Sequence, residues 1–496
     1  MIFYALFCIS LILIVGMRFI TFSNTHFEEP DEYIYALIAQ NIISNGTWTQ
    51  PALWTDNTIP LTTYAEKPLL VLIPAAIVYL TGLSFYVAIG ILAPLLAGIL
   101  FILTYIYALQ LVENRLYALA GALLFMTMLA SIFHTVSGEW RGEELTMVFT
   151  LCGLIATNKI TSTMAWRKIL LVPAVVSLSI FSLYFAWSGA VYGILVIAAS
   201  LCTAVLRIII HDNRKFLLLL TALAITTVAS VLLLYPPLLS ILNSYRVMAE
   251  TFPPTVLFWF LAYGFAVLPL CAIAAVKILI VQKRSAAVSL LRQKQLALII
   301  FLSSSFILAA YEIRFSFFFA LPLSIAAVWL FKSLRWSRVL LILIVALLIY
   351  DIAFYLPNLA PADNINPQFN AALYWLKDNT APNATVLTLW EDGSLVEYVA
   401  NRTSFSDSMA GNTHLNNFAL FLYAQQCNYT YLNIAHPSYL LVRYYWQYVN
   451  TSLDLTNISN RPYNNTNIAG FMRNNTCSGL SLVYRNNDTS IYKVYS

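Results

Sequence analysis

The sequence predicts a polytopic α-helical membrane protein that carries a C-terminal extracytoplasmic α/β domain. Three observations predict it. Of 496 residues, 60% are hydrophobic and only 10% are charged, a balance far too apolar for a soluble chain of this length. Apolar stretches of near bilayer length recur as far as residue 356, separated by short basic segments. After about residue 357 those stretches stop, and Asn, Tyr, Thr and Ser dominate.

The first apolar stretch, residues 2–20, opens without a basic n-region or a small-residue cleavage site, so it is read as a retained span rather than a signal peptide. Further spans are expected at 88–110, 117–135, 144–158, 169–186, 189–206, 216–234, 257–276, 295–310, 316–331 and 339–356, about eleven in all. Arg115, then Lys159, Arg167 and Lys168, then Arg207, Arg214 and Lys215 fall at alternate connections. The pattern continues through Lys277, Lys283, Arg284, Arg292 and Lys294 to Lys332, Arg335 and Arg338. The positive-inside rule makes these connections and the N-terminus cytoplasmic and puts the C-terminal domain outside the cell membrane. Residues 67–82 are apolar but short, and counting them as a span would invert every later basic connection. They are therefore expected to form an amphipathic or half-inserted helix within a long first external loop, 21–87. The chain divides into a membrane domain, 1–356, and an external domain, 357–496. The net charge of +5 is spread among these connections, which argues against a nucleic-acid partner.

In the external domain, short alternating segments such as Tyr439-Leu440-Leu441-Val442 and Ile491-Tyr492-Lys493-Val494-Tyr495 read as strands. Asn-X-Ser/Thr occurs there at Asn383, Asn401, Asn428, Asn450, Asn457, Asn464, Asn474 and Asn487, and at Asn45 in the first external loop. All lie on the side the charge rule makes external, which fits a host that N-glycosylates its surface proteins densely. Cys427 and Cys477 are the cysteines of this domain and are candidates for a disulfide, whereas Cys8, Cys152, Cys202 and Cys271 lie in or beside spans as small packing residues.

The same external face collects the chemically active residues. Phe27-Glu28-Glu29-Pro30-Asp31-Glu32-Tyr33 follows the first span, where carboxylates carry a desolvation penalty unless a cation or donor compensates them. Glu139, Arg141, Glu143 and Glu144 lie between the third and fourth spans, Glu250 between the seventh and eighth, and Glu312 and Arg314 after the ninth. Carboxylates converging from separate loops suit a hard divalent cation, Mn²⁺ or Mg²⁺, that also binds phosphate oxygens. The alternative is a set of ordinary polar residues at the membrane interface, with Arg314 snorkelling to lipid headgroups.

These stretches resemble the membrane-embedded GT-C glycosyltransferases, which use lipid-phosphate sugar donors. Within that group they are most similar to the catalytic subunit of archaeal-type oligosaccharyltransferases. Pro30-Asp31-Glu32-Tyr33 resembles the first acidic motif, and Gly138 to Glu144 the second, with Glu143 on its last position and Arg141 where an acidic residue is usual. Met248-Ala249-Glu250 resembles an external-loop motif whose glutamate contacts the acceptor amide. Leu389-Trp390-Glu391-Asp392-Gly393 resembles the Trp-Trp-Asp-Tyr-Gly motif that holds the Ser or Thr of the acceptor, with Leu, Glu and Asp replacing its first, third and fourth residues. An aromatic-acidic turn of the soluble domain accounts for that last stretch equally well.

The resemblance implies a GT-C fold of about 11–13 transmembrane helices. It also implies transfer of a glycan from a dolichol-linked phosphate or pyrophosphate to Asn of an Asn-X-Ser/Thr acceptor protein. Asp31 and Glu250 would be catalytic; Asp31, Glu143 and Glu139 would hold the metal. Trp390, Glu391 and Asp392 would bind the acceptor, and Arg314 and Arg141 would line the donor phosphate or acceptor pocket. Dense acceptor motifs and a lone catalytic chain point to an archaeon. Two other functions remain open: a GT-C enzyme moving one sugar from a polyprenyl phosphate to a protein hydroxyl or a lipid, favoured by Glu66-Lys67-Pro68-Leu69, and a transporter with a glycosylated ectodomain. A transporter would show charged or broken helices near the bilayer centre and internal repeats.

Overall fold

The structure, a computed structural model, describes residues 2–19, 22, 27, 30–46, 68–132, 134–135, 137, 140–159, 166–186, 191–209, 255–263, 267–272, 295–311, 313–350, 367–388, 390–405, 437–443 and 479–495. The first part is helical. Helices α1 (Ile2–Arg18), α2 (Pro30–Asn45), α3 (Pro68–Thr81) and α4 (Phe85–Val112) are followed by α5 (Arg115–Met126), α6 (Leu129–Ile132) and α7 (Gly142–Asn158). Then come α8 (Trp166–Ala186), α9 (Val191–Ile209), α10 (Val256–Tyr263), α11 (Gln295–Tyr311), α12 (Ser316–Ser333) and α13 (Ser337–Tyr350). The predicted span at 216–234 lies outside the described residues.

Among the described helices, α4 and α12 are long and apolar enough to cross a membrane by themselves, and seven shorter apolar helices accompany them. At 1.5 Å per residue the 28 residues of α4 extend about 42 Å, beyond the hydrocarbon thickness of about 30 Å. Ser84 caps its start by accepting from Val87 N–H, and Glu113 ends it in the left-handed conformation, φ 54°. The Asn114 side chain then accepts from Leu116 and Tyr117 N–H, so one short junction stops one helix and starts its antiparallel neighbour. Outward-facing residues of the bundle are themselves apolar: Ile12, Leu178, Ile307, Leu341 and Ile342 are all more than half exposed. A ring of exposed aliphatic side chains around a packed core is what a lipid-facing surface requires.

Two elements differ in detail from their sequence expectation. The stretch expected as one span over 117–135 is broken after Met126. Thr127 Oγ1 bonds back to Leu123 O and Leu124 O, and the buried Arg18 guanidinium takes Met126 O and Thr135 Oγ1, so the freed polar groups are met by a side chain from α1. Helix α3 has no charged residue, and its 14 residues cover about 21 Å, a half-inserted length without a polar face. It packs against α2 and α4, burying Leu70, Val71, Pro74 and Ala75.

The C-terminal part adds α14 (Pro367–Asn379), β1 (Thr385–Leu387), α15 (Trp390–Tyr398), β2 (Thr403–Ser404), β3 (Tyr439–Arg443), β4 (Leu480–Arg485) and β5 (Thr489–Val494). The sheet order is β2-β1-β3-β5-β4; β1 is parallel to β2 and β3, whereas β5 is antiparallel to β3 and β4. Arg402 closes the end of α14, donating to the carbonyls of Lys377 and Thr380 and to Thr380 Oγ1. One apolar core runs from the helices into this sheet, linking Ile89 and Phe317 to Phe369, Val386 and Leu441. The described acceptor-motif asparagines, Asn45, Asn383, Asn401 and Asn487, are all exposed, and the remaining five motifs and Cys427 and Cys477 lie outside the described residues.

Candidate functional site

Two helix starts meet at the first acidic cluster. Helix α2 has Asp31 and Glu32 in its first turn, and α7 has Glu143 and Glu144 in its first turn with Arg141 at the N-cap position. Carboxylates there complement the positive end of each helix dipole. A buried hydrogen bond joins the two: Trp140 N–H donates to Glu32 Oε1 at 2.7 Å. The Trp140 indole N–H donates to Leu70 O, also at 2.7 Å, which brings in the first turn of α3. Three segments that are far apart in sequence are thus fixed around one buried tryptophan, with Glu32 0% and Trp140 1% exposed. Asp31, next to Glu32, and Glu143, three residues after Trp140, are carried into the same neighbourhood.

Neither Glu32 nor Trp140 was singled out by the sequence. The available signal was a tryptophan inside a polar acidic stretch, since a buried indole needs an acceptor for its N–H. Behind them Ser137 N–H donates to Arg18 O, and Ser137 Oγ to Gly90 O, so the segment leading into α7 is tied to both α1 and α4.

The second locale is the C-terminal sheet. Helix α15 starts at the carboxyl end of β1 and returns to β2 on one side, and the chain then crosses to β3 on the other side. The gap between the carboxyl ends of β1 and β3 is therefore a topological switch point, the place where open α/β sheets bind ligands. Trp390, Glu391 and Asp392 form the first turn of α15 at that gap. Asp392 points into the domain: it is 2% exposed, and its Oδ1 accepts from Arg443 Nη1 at 2.9 Å.

An aromatic cluster joins the locales. Tyr398, the last residue of α15, has its ring 5.6 Å from Tyr33, 5.8 Å from Tyr86 and 5.9 Å from Phe27. Tyr33 packs edge-on to Phe27 at 4.8 Å, and its hydroxyl accepts from Phe27 N–H. Burial raises the Tyr33 phenol well above its ordinary range and the Tyr398 phenol to about 12, so both remain neutral donors at physiological pH. Trp390 lies one helix length before Tyr398, about 12 Å along the axis.

The expected site residues fall as follows. Asp31 is half-buried, and Arg141 and Glu143 lie at the start of α7, half-buried and buried respectively. Arg314 sits in the 3₁₀ turn Ile313–Phe315 between α11 and α12. Glu139, Glu250, Glu28, Glu29 and Glu312, and the side chains of Arg314, Trp390 and Glu391, lie outside the described residues. Among the described residues no group of three or more His, Cys, Asp or Glu forms a metal site. Asp31 and Glu143 offer oxygen donors suited to a hard cation, and the third expected ligand, Glu139, immediately precedes the buried Trp140.

No protein-family model matches the chain, and no curated protein matches it. Solved structures do. The archaeal oligosaccharyltransferase AglB from Archaeoglobus fulgidus, in complex with an inhibitory peptide and a dolichol-phosphate, superimposes with TM-score 0.67 at 15% identity over 98% of this chain and 79% of that one. An Archaeoglobus fulgidus oligosaccharyltransferase in complex with Zn and sulfate gives TM-score 0.62 at 14% identity over 97% of this chain and 79% of that one. ArnT from Cupriavidus metallidurans bound to undecaprenyl phosphate gives TM-score 0.55 at 12% identity, over 99% of this chain and 97% of that one. The chain has the GT-C fold with a C-terminal α/β domain, and it resembles archaeal oligosaccharyltransferase in that fold.

Proposed function

We propose that this chain is a membrane glycosyltransferase that moves a glycan from a dolichol-linked phosphate or pyrophosphate to the side-chain amide of Asn in Asn-X-Ser/Thr. The observation that carries the proposal is the packing of α15, which begins at Trp390, against α2, whose first turn carries Asp31. It joins the acceptor motif to the acidic motif through Tyr398 and Tyr33. AglB with its peptide and dolichol-phosphate and ArnT with undecaprenyl phosphate share the fold and bind a polyprenyl phosphate, which supports a donor of that class.

The amide nitrogen of Asn is a weak nucleophile because its lone pair is delocalised into the carbonyl. Asp31 and Glu250 accept hydrogen bonds from its N–H groups, holding the nitrogen against the anomeric carbon and weakening that conjugation. The nitrogen–carbon bond forms as the carbon–oxygen bond to phosphate breaks, and a carboxylate takes the amide proton. Asp31 and Glu143, with Glu139, would hold Mn²⁺ or Mg²⁺, which supplies charge stabilisation to the leaving phosphate when bound. Arg314 and Arg141 share that charge, and Trp390 and Glu391 receive the Ser or Thr of the acceptor. The Archaeoglobus fulgidus oligosaccharyltransferase structure with Zn and sulfate supports a cation and an anion within this fold. The chain crosses the cell membrane several times, with residues 1–356 in the membrane domain, the N-terminus cytoplasmic and residues 357–496 outside.

A second acceptor class is favoured by one observation. The likeness to ArnT covers 97% of that protein, and Glu66-Lys67-Pro68-Leu69 leads into α3, whose Leu70 carbonyl receives the Trp140 indole. Leu70, in the first turn of α3, lies against Trp140 of the second acidic stretch, which supports transfer of one sugar to a hydroxyl or lipid. The two readings separate in one assay. Membranes containing the full chain are given a labelled lipid-linked glycan with a sequon peptide, the same peptide with its Thr changed to Ala, or a lipid acceptor, in Mn²⁺ or chelator. Label on the sequon peptide alone, lost with chelator and in Asp31→Ala, supports the oligosaccharyltransferase; label on the lipid alone supports the second reading.

A further inference from the structure

We propose that Arg443 is a positioning residue for acceptor recognition, setting the first turn of α15 against the crevice between β1 and β3. The inference rests on the acceptor reading of Trp390 and Glu391 given above. The β1–β3 register pairs Leu387 with Leu440, so Arg443 stands three residues further along β3. At about 3.3 Å per residue that is about 10 Å beyond the end of β1, the level at which α15 begins.

The guanidinium there is gripped from three other elements. Its Nη1 donates to Asp392 Oδ1 at 2.9 Å and its Nε to Asp488 Oδ2 at 3.2 Å, and its carbon lies 4.0 Å above the Phe369 ring of α14. Asp488 is fixed in turn by Thr489 Oγ1, which donates to it at 2.8 Å. All three charged side chains are buried or nearly so, with Arg443 6%, Asp392 2% and Asp488 11% exposed. Two carboxylates against one guanidinium is a geometry that Lys, a single-headed donor, reproduces only in part.

Fixing Asp392 fixes the rotation of the helix. At 100° per residue, position 390 lies about 160° around the axis from Asp392, and position 391 about 100° around. Arg443 therefore acts on the acceptor through Asp392 and the orientation of α15, while Asp392 is occupied by the ion pair. Neither Arg443 nor Asp488 lies in the stretch that resembles the acceptor motif.

The test uses the purified full chain in detergent with a fluorescent Asn-X-Thr peptide and a labelled lipid-linked glycan. Arg443→Met is expected to raise the acceptor KM about tenfold, lower kcat by less than about threefold and leave the donor KM unchanged, with Arg443→Lys recovering part of the acceptor KM. Asp392→Asn, which keeps an acceptor oxygen, shifts the acceptor KM in the same direction by less. Peptide anisotropy without donor follows the same order. If Arg443→Met does not fold, Arg443→Lys and Asp392→Asn decide: an unmoved acceptor KM in both, or a fall in kcat with both KM values unchanged, overturns the proposal. Transfer by the unaltered enzyme to lipid or hydroxyl acceptors and never to the sequon peptide overturns instead the reading on which it rests.

Discussion

The two ends of the site hold their buried carboxylates by different means. At the membrane face Glu32 accepts a neutral backbone N–H from Trp140, whereas in the C-terminal domain Asp392 and Asp488 share the Arg443 guanidinium. A neutral donor fixes position without bringing a positive charge of its own, which suits a place proposed to bind a cation and a departing phosphate. A guanidinium neutralises the carboxylate and locks it, which suits a scaffold that orients a helix and takes no part in bond making. Two acidic motifs that look alike in sequence are thus held differently, which fits the proposal of chemistry at Asp31 and support at Asp392.

The contrast is broken most severely by removing the chemistry. Asp31→Ala is expected to reduce glycan transfer on the order of 10³-fold while leaving thermal unfolding of the protein, where Asp31 is half-buried, within about 2 °C, as measured by labelled-product assay and scanning fluorimetry. Arg443→Ala leaves Asp392 and Asp488 buried without their shared cation, at a cost of about 3–5 kcal/mol to the C-terminal domain, read by chemical denaturation. Retention of wild-type stability there would show that the pair is solvated and not a lock.

Glu32→Ala removes the acceptor of the Trp140 N–H and leaves that N–H buried, a loss of about 1–3 kcal/mol. Glu32→Gln keeps an oxygen in place and should lose less, in contrast to charge-removing changes at Arg443. Equal losses in Glu32→Gln and Glu32→Ala would mean that the negative charge, not the acceptor oxygen, matters at this end.

The smallest effect is a pH dependence at the aromatic joint. Burial raises the Tyr398 phenol from 10.0 to about 12 in the folded protein, so the unfolded chain releases its proton first. The corresponding stability is fully present below pH 10 and declines as pH rises towards 12. Tyr398→Phe, which keeps the ring contacts, should flatten that alkaline decline by a slope of up to one proton in pH-dependent denaturation.

Much of the membrane part was legible from the sequence because long apolar runs and interrupting basic residues have few alternatives. The expected spans at 144–158, 169–186 and 316–331 match α7, α8 and α12 to within three residues at each end. The break after Met126 was not legible, because it depends on Arg18 arriving from a helix more than a hundred residues earlier to take the Met126 carbonyl. The site shows the same division. Asp31 and Glu143 are expected from residue type and position alone, whereas the Glu32–Trp140 bond that joins their helices spans 108 residues and has no local signature. Asp392 carried an acidic identity that sequence reads as a ligand, and only Arg443 and Asp488, contributed by β3 and the turn before β5, show that its Oδ1 is engaged inside the domain. The parallel β1–β3 pair that creates the switch point joins segments about fifty residues apart and was likewise beyond local pattern.

The central claim, transfer of a glycan to Asn beside a Ser or Thr, is tested most directly by mass spectrometry of a sequon peptide incubated with the full chain and a polyprenyl-linked glycan. The expected result is a mass gain equal to the glycan, located on the Asn by fragmentation, absent from the peptide whose Thr is changed to Ala and absent with Asp31→Ala. An unmodified peptide alongside a glycosylated lipid or hydroxyl acceptor would contradict it.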